Sequence, residues 1–188
     1  MFSDVVSFDD EKLILVDEQD NVVGYKDKLE CHLGSGVLHR AFSIFLFNDK
    51  GELLLQQRAK DKMLWGGFWS NTVCSHPRKG ETAEFATQRR LKEEMGITTE
   101  LKYIYKFIYT AKFGEIGSEN ENCYVYVGNY NGEVKPNPTE IADWKWISKS
   151  ELNEELKSNP QNYTPWFKME WEKLNSEYES KLKALRIF

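Results

Sequence analysis

The chain alternates short apolar runs with polar turns, a pattern that predicts strands over most of its length. In KLILVDEQDNVVGYKDK, Lys12 to Lys28, two apolar runs meet at Gln19-Asp20-Asn21, which predicts a pair of short strands joined by a polar turn. AFSIFLFNDKGELLLQQRA, Ala41 to Ala59, repeats the scheme around Asn48-Asp49-Lys50-Gly51. Glycine beside Asn and Asp supplies the positive φ that a tight hairpin needs. ELKYIYKFIYTAK and ENCYVYVGNYNGE, starting at Glu100 and Glu121, read as aromatic-rich strands, the second ending in an Asn-Gly turn. IADWKWIS, from Ile141, adds one more short strand.

Elsewhere the period changes to helical. ETAEFATQRRLKEEMG predicts a helix with Thr82 as its N-cap and Gly96 as its stop. KSELNEELKS predicts a second, and beyond Pro165 the stretch WFKMEWEKLNSEYESKLKAL reads as a third, with a helical apolar period and mixed charge. Strands, one central helix, more strands and then terminal helices predict an α/β (α+β) fold. The expected architecture is a mixed β-sheet sandwich flanked by helices, with a C-terminal helical extension, and not a doubly wound sheet. No repeat, long linker or low-complexity block divides the chain. The 188 residues are therefore expected to form a single domain, 1–188, with a core over about 40–150 and helices over 151–188.

Composition narrows the function classes. A 40% hydrophobic and 14% aromatic content can build a core, yet no run of about 18 apolar residues predicts a membrane span. The opening MFSDVVSFDDEKL lacks the basic-then-apolar pattern of a secretory leader. A net charge of −5 argues against a nucleic-acid module, which usually carries a basic surface. Three cysteines cannot all pair internally and none forms CxxC, so a reducing cytoplasm is the expected compartment.

Candidate chemistry gathers in four stretches. ECHLGSGVLHRAF holds His32 and His39 across a Gly-Ser-Gly bend, and WSNTVCSHPRKGE puts Cys74 two residues before His76. In GSENENCYVYV, Glu119 and Glu121 alternate with asparagines, so an extended chain points both carboxylates to one face. The same alternation puts Cys74 beside His76. The plain alternative is three unrelated imidazoles and a solvated strand end. Together, however, three imidazoles and two carboxylates make an N3O2 set that suits a borderline divalent ion such as Zn, Mn or Mg. On the central helix, Ala83, Thr87, Arg90 and Glu94 occupy the stripe that normally faces a core. That stripe looks either into a polar cleft or, as an i,i+4 ion pair, onto solvent. QQRAKDKMLWGGFW gathers Arg58, Lys60 and Lys62 before Trp65, Phe68 and Trp69, with Lys28 upstream. A cationic rim beside an aromatic wall suits a ligand with an anionic head and an apolar tail; the alternative is an ordinary solvated loop. Cys31 and Cys123 read as small buried thiols.

LHRAFSIFLFNDKGELLLQQRAKDKMLWGGFWSNTVCSHPRKGE, RRLKEEMGI, ENENC and YTPWF together resemble type I isopentenyl-diphosphate isomerases, relatives of the Nudix hydrolases. The resemblance runs from about Val16 to about Trp171 and implies a Nudix-like fold. The hydrolase pattern G-x5-E-x7-R-E-x2-E-E-x-G is kept only in part, at Glu81, Arg89, Glu93, Glu94 and Gly96. Ser75 stands where its first glycine would be, and Arg90 replaces the carboxylate after the arginine. A metal-assisted hydrolase needs that acid, so a pyrophosphohydrolase is the second reading and a silent metal-binding domain the third.

What the resemblance implies is interconversion of isopentenyl and dimethylallyl diphosphate by protonation and deprotonation through a tertiary carbocation, in isoprenoid biosynthesis. It assigns one divalent ion (Mn2+, Zn2+ or Mg2+) to His32, His39, His76, Glu119 and Glu121. A second ion, Mg2+, is held with the diphosphate near Glu94. Cys74, Glu121, Tyr109 and Trp166 are the implied catalytic residues. Lys28, Arg58, Lys62 and Arg90 are the implied diphosphate contacts, and Trp69 is added here as a further substrate-side aromatic. The expected partner is the small-molecule substrate alone, with no nucleic acid and no membrane insertion; the oligomeric state stays open between a monomer, which is favoured, and a dimer through the terminal helix. The direction of proton transfer between Cys74 and Glu121 stays open.

Overall fold

The computed structural model describes residues 4–187; Met1, Phe2, Ser3 and Phe188, the extreme ends of the predicted domain, lie outside the described residues. Strands β1 (Lys12–Val16) and β2 (Val22–Asp27) pair antiparallel, with Asp20 turning between them at φ 71°. A short helix α1 (Lys28–His32) follows. The hairpin predicted at Asn48–Gly51 joins β3 (His39–Phe47) to β4 (Leu53–Arg58), and Gly51 takes φ 73°. Two brief strands come next, β5 (Trp69–Ser70) and β6 (Val73–Ser75). Helix α2 (Ala83–Met95) starts where Thr82 accepts a hydrogen bond from the Phe85 N–H and ends at Gly96, φ 67°. Then come β7 (Lys102–Phe113), β8 (Gly117–Asn129), β9 (Ile141–Ile147), and helices α3 (Lys149–Ser158), α4 (Pro165–Ser176) and α5 (Glu179–Ala184).

The sheet is mixed. β3 lies at its centre, antiparallel to β6 and parallel to β8, while β7 continues from β8 and β9 from β4. Successive β3 side chains alternate between faces, and both faces are covered. Phe45 and Phe47 pack with Trp166, Phe167, Trp171 and Leu174 of α4. Phe42, Ile44 and Leu46 pack with Ala86, Leu91 and Met95 of α2. Burial on two sides explains why β3 reads as one continuous apolar run. Helices on both faces of a mixed sheet are the predicted α+β sandwich.

The third predicted helix is two. α4 and α5 part around Tyr178, whose ring stacks on Tyr105 with centroids 4.5 Å apart. That aromatic contact outweighs one more turn of helix. The turn of 3₁₀ helix at Pro160–Asn162, α1, β5 and β6 are too short for a periodicity to mark them. Among the described residues, no helix is long and apolar enough to cross a membrane.

Candidate active site

A cavity of about 650 Å³ opens between the sheet, α2 and α4. Its wall at one end is a cluster of imidazoles and carboxylates. His32 ends α1, His39 opens β3 opposite Glu121 in register, and His76 follows β6. β8 is regular through Glu119 and Glu121, so both face one way. Gly117 lets α1 approach this strand, because a Cβ there would collide with the His32 carbonyl. One ligand atom from each of the five residues lies within 4.8 Å of all the others.

The hydrogen bonds around this cluster fix what it can hold. Nδ1 of His32 donates to the Lys28 carbonyl and Nδ1 of His39 to the Val37 carbonyl, each at 2.7 Å. A carbonyl only accepts, so both imidazoles turn the lone pair of Nε2 into the cluster. His39 Nε2 and Glu119 Oε2 are then buried without a hydrogen-bond partner. Glu119 Oε2 nevertheless lies 3.0 Å from His32 Nε2, acceptor facing acceptor. Such a pair needs a proton or a cation between its members. Burial opposes the charge on His32, but Glu119 outweighs it and raises the imidazole to about 8. Burial, with His39 and His32 adding to it, holds His76 well below its ordinary value. An N3O2 set with orphaned acceptors fits a divalent ion of the Zn, Mn or Mg kind.

The groups for proton chemistry adjoin this cluster. Glu121 receives 2.6 Å from the Tyr109 hydroxyl and lies 2.8 Å from His76 Nε2. Burial would raise its pKa, but the nearby His39 imidazole, 3.7 Å away, and the Tyr109 hydroxyl hold it below the ordinary carboxylate value. Burial drives Tyr109 far up, so the phenol stays a donor. Cys74 stands on β6, across β3 from Glu121, and burial pushes its thiol to about 12 against the opposing charge of Arg58. Arg58 Nη1 lies 3.7 Å from Cys74 Sγ, and the guanidinium carbon sits 5.4 Å from the Trp166 ring centre. Trp166 Nε1 is buried without a partner.

The other end is charged on both signs. Arg90 reaches Glu94 at 2.7 Å, Glu140 at 3.2 Å, Glu93 at 3.4 Å and the Val6 carbonyl at 2.7 Å. The predicted i,i+4 ion pair is real, but it is buried in a polar cleft and not on a solvated face. Lys62 Nζ lies 2.5 Å from Glu140 Oε2, and Lys28 donates to Ser7 Oγ. Burial, with the like charge of Lys62, pushes Lys28 down. Burial raises Glu94 despite Arg90, whereas Arg90 and Lys62 overcome burial and hold Glu140 low. Of the hydrolase-pattern residues, Arg89 binds Glu81 and Glu93. A hydrolase's ion-binding carboxylates would here find the fixed cation of Arg90 among them.

Lys28, His32, Arg58, Lys62, Cys74, His76, Arg90, Glu94, Tyr109, Glu119, Glu121 and Trp166 all line the cavity. His39 lies just behind the wall, fully buried within the cluster. Trp69 lies apart: it is not among the lining residues, and its ring faces Lys145, 4.8 Å away. Its β5 strand pairs Trp69 with Gln57, whose neighbours Gln56 and Arg58 line the cavity while Gln57 does not, as strand alternation requires. Cys31 is buried outside the ligand cluster. Among the polar residues that the sequence motifs do not mark, three bear on the site. Glu140 and Gln56 line the cavity, and Glu170 is buried on α4 beside Cys123, 3.4 Å from its sulfur. Glu170 had a signal: it interrupts the apolar stripe Trp166, Phe167, Trp171 and Leu174.

Comparison with known proteins agrees with this geometry. The model of the NUDIX domain matches residues 37–167. An isopentenyl-diphosphate Delta-isomerase of Aromatoleum aromaticum is 48% identical over 76% of this chain and 75% of its own length. One from Burkholderia multivorans is 46% identical over 76% and 81%, and one from Camptotheca acuminata 41% over 76% and 69%. Among solved structures, DR0079 from Deinococcus radiodurans superposes with a TM-score of 0.66 at 24% identity, over 79% of this chain and 90% of its own. The MutT protein from Methanosarcina mazei reaches 0.62 at 20%, over 75% and 95%. At these identities the two structures speak for the fold alone.

Proposed function

The chain belongs to the isopentenyl-diphosphate Delta-isomerase family within the Nudix fold, and we propose that it interconverts isopentenyl and dimethylallyl diphosphate with Cys74 and Glu121 as the two proton-transferring groups. The observation that carries the reading is a thiol and a carboxylate lining one cavity from strands on either side of β3. Those strands are two strand spacings, about 10 Å, apart. Cys74 lies level with Ser43 and Glu121 with His39, four residues apart along β3, so the two groups approach the cavity from different sides and different depths.

Moving the double bond adds a proton at the terminal alkene carbon and removes one from the carbon on the other side of the resulting tertiary cation. Isomerisation runs both ways, so each group gives a proton in one direction and takes one in the other. A positioned acid or base contributes about 10²–10⁴-fold. Tyr109 orients Glu121 by its 2.6 Å hydrogen bond. Trp166 lines the cavity and offers the cation an indole face, worth roughly 0.5–2 kcal/mol. Arg58, Lys28, Lys62 and Arg90 hold the diphosphate by charge-assisted bonds, which anchors the apolar tail against the proton donors. A divalent ion held by His32, His39, His76, Glu119 and Glu121 would supply a fixed positive charge beside the reacting carboxylate. Mg2+ arriving with the diphosphate would meet Glu94. With a net charge of −5 and three free thiols, the proposed setting is a reducing cytoplasm, with a small-molecule substrate and a monomeric chain.

Purified protein given isopentenyl diphosphate and Mg2+ is expected to form dimethylallyl diphosphate, followed by proton NMR. Cys74→Ala should lose nearly all turnover while keeping its circular dichroism spectrum. Full activity in that variant rejects the assigned role, and release of phosphate in place of an isomer rejects the reaction.

A further inference from the structure

Glu140 takes no part in the chemistry above. It is only 6% exposed, and its Oε2 lies 2.5 Å from Lys62 Nζ and 3.2 Å from Arg90 Nη2. Those are two of the cations assigned to the diphosphate. A phosphate oxygen bonded to Lys62 at an ordinary distance lies at most about 5.7 Å from Glu140 Oε2. Glu94 Oε1 shares the same Arg90 nitrogen at 2.7 Å. A bare diphosphate therefore meets two carboxylates along with its cations.

Backbone bonds keep Glu140 from retreating. Its N–H donates to the Asn137 carbonyl at 3.0 Å, and its carbonyl accepts from Ala59 at 2.9 Å. The Asn137 N–H in turn donates to the Glu94 carbonyl at 2.7 Å, tying this loop to the end of α2. A small divalent ion placed between carboxylate and phosphate oxygens turns repulsion into attraction. Mg2+ is usually bound in this way, through one or two carboxylates and the phosphates of its substrate. Both carboxylates line the cavity, and oxygen is the donor type that Mg2+ takes.

Resting on the isomerase reading, we infer that Glu140 is a specificity-determining residue that makes the site select the magnesium-loaded diphosphate over the bare one. Its carboxylate repels an uncompensated headgroup from Lys62 and Arg90, and the ion removes that penalty.

Calorimetric titration of inorganic pyrophosphate into the full chain, with and without excess Mg2+, tests this. The wild type is expected to gain at least about tenfold in affinity from the ion. In Glu140→Gln the gain should shrink below about threefold, because affinity for bare pyrophosphate rises. Glu140→Asp, which keeps the charge but withdraws it by one methylene, should shrink the gain less and guards against a folding defect in the first variant. An unchanged ratio in both variants overturns the inference, as does equal weakening in both conditions. Turnover of isopentenyl diphosphate by the wild type reports separately on the isomerase reading. If turnover is absent while the ratio shifts as expected, that reading falls and the role of Glu140 is supported.

Discussion

At one end of the cavity His39 Nε2 and Glu119 Oε2 are buried with no hydrogen-bond partner. At the other, Arg90 and Lys62 are bonded directly to Glu94 and Glu140, so that each buried charge has an opposite within reach. Both ends bury charge, which is costly unless it is compensated. The imidazole end leaves its acceptors to an ion, while the charged end compensates itself and must exchange partners when a diphosphate arrives. The first should respond to metal and hardly to the headgroup. The second should respond to headgroup charge and leave the imidazole-bound metal alone.

The largest test is Glu121→Gln, which removes a proton-transferring group and a ligand together. Turnover should fall by about 10²–10⁴-fold, and metal content measured on the same sample should fall with it. Metal retained at full occupancy would break the comparison at the imidazole end. Arg90→Gln acts at the other end. It leaves Glu94 and Glu140 without their shared cation and should cost about 3–5 kcal/mol in urea denaturation, while metal content holds. Chelation of the wild-type protein comes next. Loss of an ion present at 100–1,000 times its Kd costs about 2.7–4.1 kcal/mol, or a fall in Tm of roughly 5–15 °C by scanning calorimetry. An unmoved Tm would mean that the orphaned acceptors are satisfied in some other way.

Glu170 sharpens the contrast, because among the described residues this buried carboxyl forms no ion pair and meets only Ser43 and Cys123, with the like charge of Glu121 nearby. Burial raises it from 4.5 to about 8. The folded protein then binds more protons than the unfolded chain between those values, so this group makes stability fall as pH rises from about 4.5 to 8, at up to about 1.4 kcal/mol per unit. Glu170→Gln removes that slope. The stability difference between variant and wild type should grow in favour of the variant across this range, and a difference independent of pH would disprove the assignment. The smallest effect belongs to Trp69→Leu. It should cost about 0.5–1 kcal/mol through the lost Lys145 contact and leave turnover unchanged.

Much of this is legible in the sequence alone. Glycine and Asn/Asp between two apolar runs is a local rule, and the hairpin at Gly51 followed it. So did the cap at Thr82 and the stop at Gly96. The alternation Glu119, Glu121 held because β8 is regular, and Arg90 with Glu94 on an apolar stripe did mark a polar cleft. Trp69 stands off the cavity lining, because nearness in sequence to the cationic loop does not fix which way a two-residue strand points. Glu140 passed unnoticed because its partners, Lys62 and Arg90, lie 78 and 50 residues away. The single terminal helix failed for a similar reason, since Tyr105 is distant in sequence and its stacking on Tyr178 outweighs local helix propensity.

The order of residues by itself determined which segments are strands and helices, where they turn, and which side chains carry imidazole, thiol or carboxylate, because turns, caps and periodicity are short-range effects. Only the tertiary structure decided that three histidines from separate elements meet two glutamates with their Nε2 atoms turned inward. It alone decided that Glu140 is the counter-charge of Lys62 and Arg90. Convergence of that kind depends on strand order and on burial, and burial sets what each charge costs and which neighbour must offset it.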